Sequence, residues 1–172
     1  NAPGIPADST FTNGSFVTGS GINYGLTRVF CPADEYKGDF ARAYFYIVTC
    51  YKDLVWLTTG DAGKAMTNDS YLEFRPWLQE LLLSWHRSDP VSEKEKTRAI
   101  EVNKIQGNRN PFIDYPELVE YIWGNKQGQS VDLNTLICTY DSTYQAPVFP
   151  RESSHLYDTI VNLPGLTKAL IN

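Results

Sequence analysis

With 172 residues, 42% of them hydrophobic and 13% aromatic, the chain is long enough to bury a real core and too apolar to be disordered. A net charge of −5 and a pI near 5.0 exclude a chain that is cationic all over, although a local basic face can sit on an acidic remainder. No stretch approaches the roughly 18 apolar residues of a membrane span, and Cys31, Cys50 and Cys138 lack the CxxC spacing of a zinc site, which leaves either one disulfide with a free thiol or three buried thiols.

Asn1-Ala2-Pro3-Gly4 shows no basic-then-apolar leader and no initiator methionine, so the expectation is a removed leader or a start inside a longer precursor. Residues 1–27 are rich in Gly, Ser, Thr, Asn and Pro and read as loop with one or two short strands. Val29-Phe30-Cys31-Pro32 leads into a turn at Ala33-Asp34-Glu35. A helix follows from about Asp39, its N-cap, to Tyr51. Its apolar stripe is Phe40, Ala43, Tyr44, Ile47, Val48 and Tyr51, at helical spacing. Residues 53–70 hold Gly60 and Gly63 and few periodic apolar positions, which predicts a helix tail and then loop. A second helix begins near Arg75, with Pro76 in its first turn, and Asp89-Pro90 stops it. The third opens on a capping box, Ser92 with Glu95, and ends at Gly107. The fourth runs from Pro116 to Gly124. Beyond Asn125 the spacing predicts a strand centred on Leu136-Ile137-Cys138, a proline-punctuated linker over residues 145–154, and a short terminal helix over Tyr157–Ile171. The fold class expected is α+β: a predominantly helical scaffold of about four helices with irregular, partly β flanks, in a single domain.

Gln106-Gly107-Asn108-Arg109-Asn110-Pro111-Phe112-Ile113-Asp114 carries the most particular chemistry in the chain. Arg109 can grip a phosphate in a bidentate fork while Asn108 and Asn110 donate to sugar or phosphate oxygens. Alternatively, asparagines bond their own backbone in turns, Pro111 fixes the exit and Arg109 bridges to Asp114. Arg42 either reaches a phosphate or pairs internally with Asp39 or Glu35, and Lys37 adds to a basic edge in the first reading. His86 sits at a helix C-terminus, where the dipole favours a cation. None of the paired acids has the spacing of a calcium loop.

Three blocks together resemble the secreted bacterial endonuclease I family, non-specific metal-dependent nucleases of the His-metal finger type. The run from Gln106 to Asp114 is similar to the family's C-terminal signature, Gly38-Asp39-Phe40-Ala41-Arg42-Ala43-Tyr44-Phe45-Tyr46 to its central helix, and Trp85-His86-Arg87-Ser88-Asp89-Pro90-Val91-Ser92 to the helix–turn–helix after it. The resemblance covers about residues 29–125, leaving 126–172 as a C-terminal extension. It implies hydrolysis of DNA or RNA phosphodiesters with a divalent metal, magnesium, as Lewis acid. It also implies nucleic acid as partner, an extracytoplasmic location, and Arg42, Asn108, Arg109 and Asn110 as the nucleic-acid-binding candidates. The family cuts with a histidine beside a metal-holding glutamate, and no Glu-His pair occurs in the chain. The expectation is therefore a supporting scaffold without that motif, partnered by a catalytic segment on its N-terminal side. The alternative is a non-catalytic interaction or structural module derived from a nuclease. Ser154-His155-Leu156-Tyr157 with Val161-Asn162 resembles only part of the cutting motif and lacks its glutamate. Tyr157 to Leu170 is similar to the helix that opens such nucleases, which implies permutation, a second copy or a chain cut from something longer.

Overall fold

The computed structural model describes residues 9–18, 29–56, 59–68 and 73–146. The chain divides into two compact units, one of residues 1–36, 55–81 and 149–172, the other of residues 37–54 and 82–148.

The first unit carries a three-stranded antiparallel sheet in the order β1 (Ser9–Thr10), β2 (Phe16–Thr18), β3 (Val29–Cys31). Thr10 pairs with Phe16 and Val17 with Phe30. The β1–β2 turn forms because Gly14 takes φ +87° and the Asn13 side chain accepts from the Ser15 amide. Ser15 is buried, its hydroxyl accepting from the Ala33 amide at 2.9 Å. A 3-10 turn, Asp34–Tyr36, follows β3. The same unit holds α2 (Gly60–Ala65) where the sequence predicts loop. A six-residue helix with two glycines is too short to display a helical period, and its Asp61–Lys64 pair was its only sequence sign.

In the second unit, α1 (Lys37–Cys50), α3 (Pro76–Ser88, from Leu82 onward), α4 (Glu93–Gln106), α5 (Pro111–Asp114) and α6 (Leu118–Ile122) surround an aromatic centre. Phe45 stacks on Trp123 with ring centroids 4.4 Å apart, and Phe112 meets both edge-on. Leu82, Leu83, Ala99 and Val119 are buried with them.

The helical scaffold and small β flank match the expected class, and three details differ. First, α1 buries Gly38, Ala41, Arg42, Phe45 and Val48, while Phe40, Tyr44, Ile47 and Tyr51 of the expected core stripe are exposed. The inward face is the one whose small residues admit close neighbours and whose arginine finds a buried partner. Second, the fourth helix forms as the shorter α6, and a separate one-turn helix, α5, stands before Pro116 where the sequence reads only a turn. Third, no strand forms over residues 130–140: this stretch folds in turns, and Thr139 gives its amide and hydroxyl to the carbonyls of Asp114 and Ile113 instead of to a sheet partner.

Cys31 is buried, Cys138 half-buried and Cys50 exposed. Among the described residues no helix is long and apolar enough to cross a membrane. The linker from residue 147 on, the terminal helix of residues 157–171 and His155 lie outside the described residues.

Candidate functional site

Helix α4 ends as its sequence demands: Gly107 takes φ +74°, and its amide closes on the Asn103 carbonyl. The chain then turns back toward α1. Asn110 caps α5, its Oδ1 accepting from the Phe112 amide at 2.9 Å, with Pro111 at the first helical position. Its Nδ2 donates to the Arg42 carbonyl at 3.0 Å, and Asn108 Nδ2 donates to the Tyr46 hydroxyl at 2.8 Å. The turn is thus tied to α1 at two positions one helical turn apart.

Between these ties, Arg109 forms a bidentate pair with Asp114, Nε to Oδ2 at 2.8 Å and Nη2 to Oδ1 at 2.6 Å. Its guanidinium carbon lies 4.4 Å from the centroid of the Tyr140 ring. Hydrogen bonding to Asp114 holds Arg109 above the ordinary arginine pKa, so it is a permanent cation. The side chain keeps 29% of its surface in contact with solvent, and Asn108 is exposed beside it.

Arg42 lies elsewhere. Its side chain is fully buried, with Nε and Nη2 on the two oxygens of Glu95 at 2.8 and 2.6 Å and Nη1 on the Asp89 carbonyl at 2.9 Å. Asp39, one of the two partners expected from sequence, is a longer contact at 3.5 Å, and it also meets Arg98 at 3.5 Å. Glu95 completes only half of the expected capping box. Its amide donates to Ser92 Oγ at 3.2 Å, while its carboxylate turns inward to Arg42. Burial pushes the Glu95 carboxyl up, and the hydrogen bonds from Arg42 pull against that. The structure therefore gathers Asn108, Arg109 and Asn110 on one turn, which touches Arg42 only through its backbone carbonyl.

His86 departs from the helix-dipole expectation of a cation. It is buried, and desolvation, with Arg42 and Arg87 nearby, lowers its pKa to about 3. The ring is neutral. Nδ1 has no partner, so the hydrogen bond to the Pro116 backbone comes from Nε2 and reaches a carbonyl, since proline has no amide proton.

The donors present do not fit a divalent cation. Among the described residues no group of three or more His, Cys, Asp or Glu side chains is placed to hold one. Of the buried or half-buried carboxylates of this unit, Asp39, Glu95, Asp114 and Glu120 are each engaged by an arginine, Glu117 by Lys126, and Asp89 accepts from the Gly38 amide. Sequence reading missed Tyr140 and the inward role of Glu95. Glu95 lies 53 residues from its partner, and only its place in the capping box marked it.

The Endonuclease I family profile matches residues 5–117, about two-thirds of the chain, including α1, α3, α4 and the whole Asn108–Asp114 turn. The chain belongs to the Endonuclease I family. The match to Endonuclease I begins earlier than the sequence blocks, which start at about residue 29, and ends at Glu117. Thr139 and Tyr140 therefore lie beyond it. One relative is the extracellular ribonuclease of Bacillus amyloliquefaciens, 40% identical over 95 residues, covering 54% of this chain and 32% of the relative. Another is the extracellular ribonuclease of Bacillus subtilis (strain 168), 37% identical over 99 residues with the same coverage of both chains. The chain thus spans about a third of the length of these curated relatives. No solved structure matches it.

Proposed function

We propose that this chain is the supporting part of an Endonuclease I nucleic-acid hydrolase, a scaffold that presents one phosphate-contacting turn and leaves scission to the family's histidine–metal motif. The observation carrying this reading is the Asn108–Asp114 turn. It lies inside the family match, is tied to α1 at two points, and keeps Arg109 charged, fixed and partly open to solvent beside Asn108. Arg109 and Asn108 contact the nucleic-acid backbone, and such contacts carry no base preference. Asn110 and Arg42 serve from beneath, one by capping α5 and the other by joining α1 to α4. Magnesium is the ion expected of the family, and because these residues do not fit it, no step is assigned to a metal held by them. The word "extracellular" in both relatives' names supports an extracytoplasmic location.

The test is direct. Purified chain incubated with supercoiled plasmid and magnesium is expected to leave the plasmid intact while still retaining labelled single-stranded oligonucleotide at low salt. Retention should fall with added salt, by roughly 0.7 log units of affinity per log unit of salt for each phosphate contacted. EDTA-sensitive nicking that persists through purification overturns the division of labour, and no oligonucleotide binding overturns the contact role. The second reading, a non-catalytic structural module, draws on Arg42 and Arg109 each having its own carboxylate partner. It is favoured if binding is absent.

A further inference from the structure

The geometry points to Thr139 and Tyr140, both beyond the family match, as positioning residues that fix the Arg109 guanidinium for a phosphate. The inference rests on the reading of Arg109 as a backbone contact. Thr139 is 2% exposed and fastens the segment to the end of α5, its amide on the Asp114 carbonyl at 2.8 Å and its hydroxyl on the Ile113 carbonyl at 2.9 Å. A helix end offers unpaired carbonyls, and these two are taken by one residue. Tyr140 is then anchored at its far side, the hydroxyl donating to the Lys96 carbonyl at 3.1 Å. Lys96 returns the bond, Nζ to the Thr139 carbonyl at 3.2 Å. The ring is held at both ends.

The Arg109 guanidinium lies over this fixed ring, while Asp114 takes Nε and Nη2. One face is covered and one edge is used, so the N–H groups outside the Asp114 pair are the two at Nη1 and the second at Nη2. An unrestrained arginine must give up rotamer freedom to grip a phosphate, and the loss weakens binding. Here the freedom is already gone. Tyr140 contributes to affinity without touching the ligand, by orienting a residue that does.

Fluorescence anisotropy with a labelled single-stranded oligonucleotide, RNA and DNA in parallel, reads this out. Tyr140→Ala is expected to weaken binding about threefold, the size of one exposed cation–π contact. Tyr140→Phe, which keeps the ring but loses the hydroxyl's bond to Lys96, is expected to weaken binding less than Tyr140→Ala does. Arg109→Ala should lose about tenfold or more, and adding Tyr140→Ala to it should cost nothing further. Tyr140→Leu, which retains apolar volume without a ring, repeats the test should the alanine variant melt at assay temperature. A Tyr140→Ala or Tyr140→Leu variant that folds and binds as tightly as the parent while Arg109→Ala binds weakly overturns the positioning role and leaves the Arg109 reading standing. So does a Tyr140→Phe variant that binds as poorly as Tyr140→Ala. If Arg109→Ala changes nothing, the contact reading fails and this inference falls with it.

Discussion

Arg42 and Glu95 meet with both carboxylate oxygens engaged and both side chains cut off from water. Burying such a pair costs desolvation that the mutual attraction only roughly offsets, so its net stabilisation is small. Breaking it is another matter, because the survivor is an unpaired charge in the core. Glu95→Ala is therefore expected to destabilise the chain by about 3–5 kcal/mol, measured by urea unfolding. The double replacement Arg42→Met with Glu95→Leu should recover most of that loss, since two apolar side chains of similar size leave nothing unpaired. A double variant as unstable as the single one would show that the pair itself, and not the orphaned charge, holds the helices. Arg109 differs in kind. Its partner is five residues away and its surface is partly wet, so the pair with Asp114 aligns the guanidinium more than it stabilises the fold.

Helix α1 depends on Gly38 at its first turn. The Gly38 amide donates to Asp89 Oδ2 at 2.8 Å, and a Cβ there would lie 1.9 Å from the Asp89 carbonyl oxygen and within 2.8 Å of the Arg42 guanidinium. The nearest atom is backbone and cannot step aside, so Gly38→Ala is expected to cost about 1–3 kcal/mol, read as a lowered unfolding midpoint. A neutral or stabilising result would mean that α1 approaches the end of α3 less closely than described. The same helix marks how far sequence carries. Pro76, Asp89-Pro90, Ser92 and Gly107 are local signals, and α3 and α4 begin and end within a residue or two of where they place them. The orientation of α1 is not a local property. Period alone selects Phe40, Ala43, Tyr44, Ile47, Val48 and Tyr51 as the inward stripe; Val48 is buried, whereas a charged residue with a partner 53 positions away turns another face in and leaves Phe40, Tyr44, Ile47 and Tyr51 exposed. The Asn108–Asp114 turn was legible in its chemistry, including the Arg109–Asp114 bridge, but not in its ties to α1 or to Tyr140, which are contacts across the fold.

Across the molecule, the net charge of −5 says little about how stability responds to acid; the buried groups of the second unit decide it. His86 is neutral in the fold with a pKa of about 3, against 6.5 when unfolded. Between those values the unfolded chain holds a proton that the folded chain refuses, so its contribution is complete above pH 6.5 and drains away as pH falls toward 3. At about 1.4 kcal/mol per unit, the full interval is on the order of 5 kcal/mol. Glu120 acts in the same direction. Burial alone would raise it, but hydrogen bonds from Arg87 and the Asn125 amide outweigh that and hold its carboxyl below the usual range, so its contribution too is lost as pH falls. Glu95, pushed up by burial, opposes them. The expected outcome is a urea midpoint that declines steadily from pH 7 to pH 4. His86→Gln cannot take up a proton and can still donate to the Pro116 carbonyl, so it should flatten most of that decline even if its stability at pH 7 is lower. An unchanged slope in His86→Gln would transfer the acid sensitivity to the carboxylates, whose ion pairs would then have to be removed one at a time to find its source.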